Sequence, residues 1–482
     1  MKLLRNLRKI STFQIPERGH YKLLDNKDID FFSSILPSHS ILTKDLDAYN
    51  TDWLRFHKGN SSIVLKPKTT EEVKSILEYC NKEKIAIVPQ GGNTGQVIGS
   101  VPIYDEVILS LQNMNRILKI DSSQGVVWTE AGVILEYLNS FCEEHGWIVP
   151  LDLASKGSCF IGGNVATCAG GVRYIRYGSL HGNVLGLEAV LPTGEILSDL
   201  KGLRKDNTGY DYKQLFIGSE GTLGVITKIA LLLAPKPISQ QVAMISCKSY
   251  ENVLQLLKDA KQGIGEILSA FEMMDSYIYS LLLKHTPRTR NPFTADSEFY
   301  VLIETSGSNK DHDIEKLQAY LENGLKNNVI TDAVLALDQE QANNFWRIRE
   351  GTATATKSEG YVFKYDLSLS IAKMYDLVRK TRERVGSLGY TVGYGHVGDG
   401  NLHLVVSTNE KEKAHRILEP WIYEQIQELK GSVSAEHGIG LLKASKLKYT
   451  KSKVMIENMK LMKNIFDPNG IMNPYKVLNN SN

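Results

Sequence analysis

The stretch Gly393-Tyr-Gly-His-Val-Gly-Asp-Gly-Asn-Leu-His-Leu404 constrains this chain more than any other. Val392 before it and Leu404-Val-Val406 at its end favour extended backbone, and Asp399-Gly400 is a strong two-residue turn signal. A hairpin with that turn places Gly398 opposite Asn401, Val397 opposite Leu402 and His396 opposite His403. Directly opposed residues have Cβ atoms roughly 4.5–5.5 Å apart, so the two imidazoles meet. Ser434-Ala-Glu-His-Gly-Ile-Gly440 offers Glu436 and His437 in a second, glycine-bounded loop. Two His and a carboxylate form a metal-ligand set with one position left open, which suits catalysis better than structure. The same residues also fit a hairpin whose imidazoles only hydrogen-bond.

Three small-residue segments lie earlier in the chain. Pro89-Gln-Gly-Gly-Asn-Thr-Gly95 follows the predicted strand Ile85–Val88, and its backbone amides can converge on an anion. It is neither a Walker A loop nor GxGxxG. Gly157–Gly171 carries five Gly in fifteen residues, which implies backbone lying close to something. Gly218-Ser-Glu-Gly-Thr-Leu-Gly224 feeds the predicted strand Val225–Leu233. Together they suit an extended ligand with a pyrophosphate at its middle; they also suit an α+β domain that uses Gly for turns.

The 482 residues have the length of about three domains. Lys+Arg is 56 against Asp+Glu 54, so no net field favours nucleic acid. No apolar run approaches the roughly 18 residues of a membrane span. Five Cys without a CxxC pair read as free thiols in a reducing compartment. Met1–Phe13 has four basic residues and no acidic one, and Leu3, Leu4 and Leu7 share a helical face. That pattern predicts a mitochondrial transit peptide over residues 1–20, with a basic tail as the alternative. Thr69 or Thr70 should cap a helix with the stripe Val73, Ile76, Leu77 and Cys80. Val184–Leu191 and Glu195–Leu197 read as a hairpin around Pro192-Thr-Gly194, and Pro235-Lys-Pro237 as a boundary. Beyond it, strands are expected at 242–246, 300–305 and 361–367. Helices are expected at 251–261, 313–325, through 346–350, at 371–386, 410–430 and near 450–465.

Pro89–Gly95, Gly157–Gly171, Gly218–Thr227, Gly393–Leu404 and Ser434–Gly440 together resemble the FAD-linked D-2-hydroxyacid dehydrogenases of the vanillyl-alcohol-oxidase-like flavoproteins. Arg204–Phe216 and Tyr361–Ser368 resemble that group too, and the likeness spans roughly residues 30–478. It implies an α+β fold with a two-part FAD-binding domain over 21–236 and a cap domain with an antiparallel sheet over 237–430. A C-terminal helical segment, 431–482, would complete the active site and pack on the FAD domain. FAD would be held by Pro89, Gly91, Gly92, Asn93, Thr94 and Gly95 in the first segment. Gly157, Ser158, Gly162, Gly163, Asn164, Thr167 and Gly170 would hold it in the second, and Gly224 and Ile226 in the third. Gly91–Gly95 contains neither His nor Cys, so the flavin should be non-covalent.

The resemblance also gives roles. His396, His403 and Glu436 would bind a divalent metal, zinc first. His437 would be the catalytic base, and Arg349 and Lys364 would hold substrate carboxylate. The implied reaction is oxidation of an R-2-hydroxyacid, D-2-hydroxyglutarate to 2-oxoglutarate, with D-lactate as the alternative substrate. The rival roles are a non-catalytic flavin subunit of an electron-transfer complex and a zinc hydrolase without flavin. Electron-transfer flavoprotein would be the acceptor, the mitochondrial matrix the location, and the assembly allows a homodimer. Val405 stands where the group usually carries Asn, and Ala353 where it carries Thr, so the substrate shell departs from the pattern while the metal set is intact.

Overall fold

Local sequence rules set the elements that carry the framework. Thr69 accepts the Glu72 N–H to start the helix Thr70–Glu83, and Lys84 ends it with φ +56°. Its buried stripe is the predicted Val73, Ile76, Leu77 and Cys80. In the computed structural model, which describes residues 15–478, this helix links Val64–Leu65 to Ile87–Gln90. Those two strands flank Val107–Ser110 in parallel, and Ile41–Leu42 adds an antiparallel edge. A second, five-stranded antiparallel sheet runs Ile117–Asp121, Val126–Glu130, Val225–Leu232, Val184–Val190, Ile196–Asp199. One hydrophobic core serves both sheets and takes in Phe466, Ile471 and Met472 from the far end of the chain.

The second half builds one seven-stranded antiparallel sheet. Its order is Asp332–Leu335, Ser239–Cys247, Phe299–Gly307, Leu268–Asp275, Tyr390–Gly395, Asn401–Thr408, Tyr361–Ser368. Successive side chains of a strand point to opposite faces. One face, with Ile245, Val301, Met273, Leu404 and Phe363, packs under the helices Tyr250–Gly263, Lys310–Lys326 and Ile371–Val385. The other, with Met244, Leu302, Met274, Tyr394 and Val405, packs under Ser276–His285, Gln339–Glu350 and Thr352–Lys357. Glu272, Glu304, Lys364, Asp366, Tyr394 and His403 all fall in register with this second face. The expectation of an α+β chain with an antiparallel cap sheet therefore holds. Among the described residues, no helix is long and apolar enough to cross a membrane.

Four expectations need correction. The single helix expected over 410–430 is two, Lys411–Leu418 and Trp421–Glu428, because Pro420 has no N–H to continue the ladder. Gly157–Gly171 is not loop throughout: Ile161–Thr167 is a short helix, ended by Cys168 at φ +50°. The strand expected over Ile85–Val88 lies at Ile87–Gln90. Leu268–Asp275, a central strand of the cap sheet, was not anticipated. The transit-peptide expectation falls mostly on residues 1–14, outside the described residues.

Candidate active site

A cavity of about 980 Å³ lies between the two cores, at the upper end of the range typical of ligand sites. Pro89, Gly91, Gly92, Asn93, Thr94 and Gly95 form one wall. Gly162, Gly163, Asn164, Thr167 and Gly170 form the next, with Gly224 and Ile226 beyond them. Gly157 and Ser158 do not reach the wall. Ser158 instead backs the first loop: a Cβ on Gly92 would lie 2.0 Å from the Ser158 carbonyl oxygen, so only glycine fits there. Asn93, at φ +52°, is pinned by donating to the Ala48 and Thr51 carbonyls. Glycine-lined backbone along one side of a long cavity suits the diphosphate of a dinucleotide.

The cap supplies the other end. The hairpin register is not the expected one: Tyr394, not His396, pairs with His403. Gly395 adopts φ +145°, open only to glycine, and ends the ladder early. Residues 396–400 make the connection, and His396 bends back over the sheet. Its Nε2 lies 3.4 Å from His403 Nε2. Glu436 Oε1 is 3.9 Å from His396 Nε2, 3.5 Å from His403 Nε2 and 3.4 Å from His437 Nε2. The right neighbours survive the shifted register because the shift is by two residues, so His396 keeps the face that carries Glu272 and His403.

These atoms fit a metal. Bonds of about 2.0–2.1 Å in a tetrahedral site put ligand atoms roughly 3.3–3.4 Å apart, close to the separations among His396, His403 and Glu436. The hydrogen bonds agree. His396 Nδ1 lies 2.6 Å from Glu272 Oε1, which holds the proton on Nδ1 and leaves the Nε2 lone pair for a ligand bond. Burial lowers the His396 pKa, but Glu272 outweighs this and raises it to about 9. Metal uptake at His396 therefore displaces a proton. Burial pushes His403 well below the usual histidine range. Burial would raise Glu436, but His437, His396 and His403 hold its carboxyl well below the usual range. His437 shares Glu436 but groups with Asp366 rather than with the two metal-site imidazoles.

Arg349 and Lys364 both line the cavity. Lys364 Nζ donates to Gln96 Oε1 across the domain boundary at 3.0 Å. Arg349 is buried, lies over the Tyr394 ring, and bonds Glu272 Oε2 through Nε at 2.8 Å and Nη2 at 2.7 Å. Glu272 thus joins the substrate-binding candidate Arg349 to the metal candidate His396. Sequence reasoning missed it. The available signal was a lone charge inside the mostly apolar run Leu268–Met274. Asp366 was also missed, although it stands two residues from Lys364 and so on the same face. Val405 is buried in the apolar cluster under the helices and is not at the cavity wall. Ala353 is at the wall, beside Thr352.

A glycine-lined groove thus runs into a buried His/Glu cluster. Residues 61–199 match an FAD binding domain family, and residues 236–477 match the family of FAD linked oxidases, C-terminal domain. The chain belongs to this FAD-linked oxidase family. It is 50% identical over 464 residues to the mitochondrial D-2-hydroxyglutarate dehydrogenase of Arabidopsis thaliana, covering 96% of this chain and 83% of that one. It is 44% identical over 480 residues to a D-2-hydroxyglutarate–pyruvate transhydrogenase of Saccharomyces cerevisiae, covering 96% and 97%. The fold matches the crystal structure of p-cresol methylhydroxylase with a TM-score of 0.74 at 15% identity, over 95% of this chain and 97% of that one.

Among the described residues, neither His nor Cys lies in the Gly91–Gly95 wall, and Cys159 at the second wall is a buried thiol whose pKa burial raises. Denaturation in acid is expected to release FAD into the supernatant; flavin remaining with the precipitated polypeptide would contradict this.

Proposed function

We propose that this protein oxidises D-2-hydroxyglutarate to 2-oxoglutarate in the mitochondrial matrix and passes the electrons to an electron-transfer flavoprotein. The observation that carries the reading is one cavity holding a metal-competent His396–His403–Glu436 set, the His437 imidazole and the cations Arg349 and Lys364, in a chain with relatives named for this substrate. FAD, when bound, supplies the two-electron acceptor for the hydride leaving C2. A divalent ion held by His396, His403 and Glu436, zinc by its N/O donors, supplies Lewis acidity toward the substrate oxygens.

The chain's own residues do the rest. His437 Nε2 takes the proton of the C2 hydroxyl as general base. Arg349 and Lys364 bind carboxylate and orient C2. Glu272 fixes Arg349 and His396 together through its two oxygens. Hydride and proton together account for the two hydrogens lost between hydroxyacid and oxoacid. A second reading replaces the protein acceptor with pyruvate, as the name of the S. cerevisiae relative states for that enzyme.

Turnover of the purified holoenzyme with an artificial acceptor tests the substrate. D-2-hydroxyglutarate should give the highest kcat/KM among D-2-hydroxyglutarate, its L isomer, D-lactate and D-malate. Faster turnover of D-lactate would assign the site to a monocarboxylate.

The two cations should fail differently. Lys364→Ala should weaken substrate binding while leaving FAD content and melting temperature unchanged, since Lys364 is exposed and its hydrogen bond among the described residues is to Gln96. Arg349→Ala should weaken substrate binding and also cost up to about 3 kcal/mol of stability, because the buried Glu272 carboxylate loses one of its two partners and keeps His396. Arg349→Lys should not rescue it, for a lysine cannot reproduce the paired guanidinium contacts. Substrate titration and thermal melts on the three variants check this; equal flavin loss in the Lys364 and Arg349 variants would assign both to the cofactor.

A further inference from the structure

Asp366 is buried on the cap strand Tyr361–Ser368 and faces the loop that carries Glu436 and His437. Its Oδ2 accepts the backbone N–H groups of Ala435 at 3.1 Å, Glu436 at 3.2 Å and His437 at 3.0 Å, and the Ser434 hydroxyl at 3.2 Å. Three successive amides converging on one oxygen make an anion-binding nest, filled here by the chain's own carboxylate. Oδ1 accepts Asn401 Nδ2 at 3.0 Å and lies 4.0 Å from His403 Nδ1. Oδ2 lies 3.6 Å from His437 Nδ1 and 3.7 Å from Lys443 Nζ. Burial would raise the Asp366 pKa; His437, Lys443 and His403 outweigh it and keep the group ionised.

The same loop is gripped from the other side. Glu220, in the third glycine-rich segment of the FAD domain, accepts the N–H groups of Ile439 at 2.7 Å and Gly440 at 2.8 Å. Gly438, at φ +81°, lets the loop pass close to this carboxylate: a Cβ there would lie 2.8 Å from Glu220 Oε1. One buried carboxylate from each core therefore holds the short segment between the domains.

Resting on the reading of His437 as base, we propose that Asp366 is the positioning residue of this site. It sets where Glu436 and His437 stand relative to His403. Its carboxylate stands 3.6 Å from His437 Nδ1 and so bounds the ring on the side away from Nε2, the atom assigned to the substrate proton. Glu220 fixes the segment from the FAD side but reaches neither imidazole, so the two carboxylates have separable effects.

Asp366→Asn keeps the shape and removes the charge. Asn401 Oδ1 is buried without a partner, so the Asn401 amide can turn to receive the new NH2 group. The D366N holoenzyme is expected to keep its flavin and fold but to melt at a lower temperature, because the largely buried Lys443 loses its ion-pair partner. At saturating metal and substrate its flavin-reduction rate should fall about 10–100-fold, the usual effect of losing a group that orients an active-site ligand. Combined with His437→Ala, the same change should cost less than about threefold, because both act through one ring. In 15N-histidine-labelled protein, with His437 assigned by its absence in His437→Ala, the ring resonances should shift in D366N as the ring leaves its set position. Full additivity in the double variant, an unchanged His437 ring spectrum, or loss of flavin and fold in D366N would overturn the proposal. An undiminished rate in His437→Ala would instead remove the base assignment, and the ring spectrum would still decide the role of Asp366.

Discussion

Alanine at His396, His403 or Glu436 is expected to abolish binding of the proposed divalent metal and to lower turnover by about 10³-fold or more. The size follows from Lewis-acid stabilisation worth several kcal/mol, at about 1.4 kcal/mol per decade of rate. The three residues come from a loop, a central strand and a C-terminal segment, and their ligand atoms lie within 4.8 Å of one another. Each variant also leaves a distinct mark. His396→Ala leaves Glu272 with Arg349 as its only charged partner. Glu436→Ala removes the one carboxylate of the set and the contact that joins it to Gly171 N–H. Because the proposed FAD site lies along the glycine walls, flavin content should survive all three changes. Elemental analysis beside the visible flavin spectrum checks this, and a wild-type rate that withstands chelation would dismiss the metal.

His437→Ala is expected to keep both metal and flavin while slowing flavin reduction by about 10²–10⁴-fold, the range for a lost general base. The ring stacks against His403 at 5.8 Å between centroids and reaches Glu436, so it borders the metal set. Its other carboxylate neighbour, Asp366, faces it with Oδ2, which already accepts three backbone N–H groups and the Ser434 hydroxyl and so is a poor metal ligand. Stopped-flow reduction and metal content measured on the same sample separate the roles. Metal lost together with activity would make His437 a ligand and send the search for a base elsewhere.

The chemistry was more legible in the sequence than its supports. The glycine segments, the paired His of Gly393–Leu404 and the Glu436-His437 loop could be read because each is a local pattern. The hairpin register could not, since it turns on Gly395 taking a backbone angle that composition only permits. Glu272 was invisible for another reason. It reaches His396 from 124 residues away, in a strand whose apolar run announced burial but not the sheet position that aims it. Asp366 lay within reach: the alternation of Tyr361–Ser368 puts it beside Lys364, and what it grips is a tertiary fact. Pro420, by contrast, was readable and simply overlooked within a long helical stretch.

Anaerobic mixing of the purified holoenzyme with D-2-hydroxyglutarate, followed by the flavin spectrum, tests the central claim most directly. The account predicts bleaching of the flavin with stoichiometric 2-oxoglutarate, no bleaching by the L isomer, none after the metal is chelated, and recovery when the divalent metal is restored. A flavin that stays oxidised with D-2-hydroxyglutarate in metal-replete enzyme, or one that bleaches equally well without metal, would contradict it.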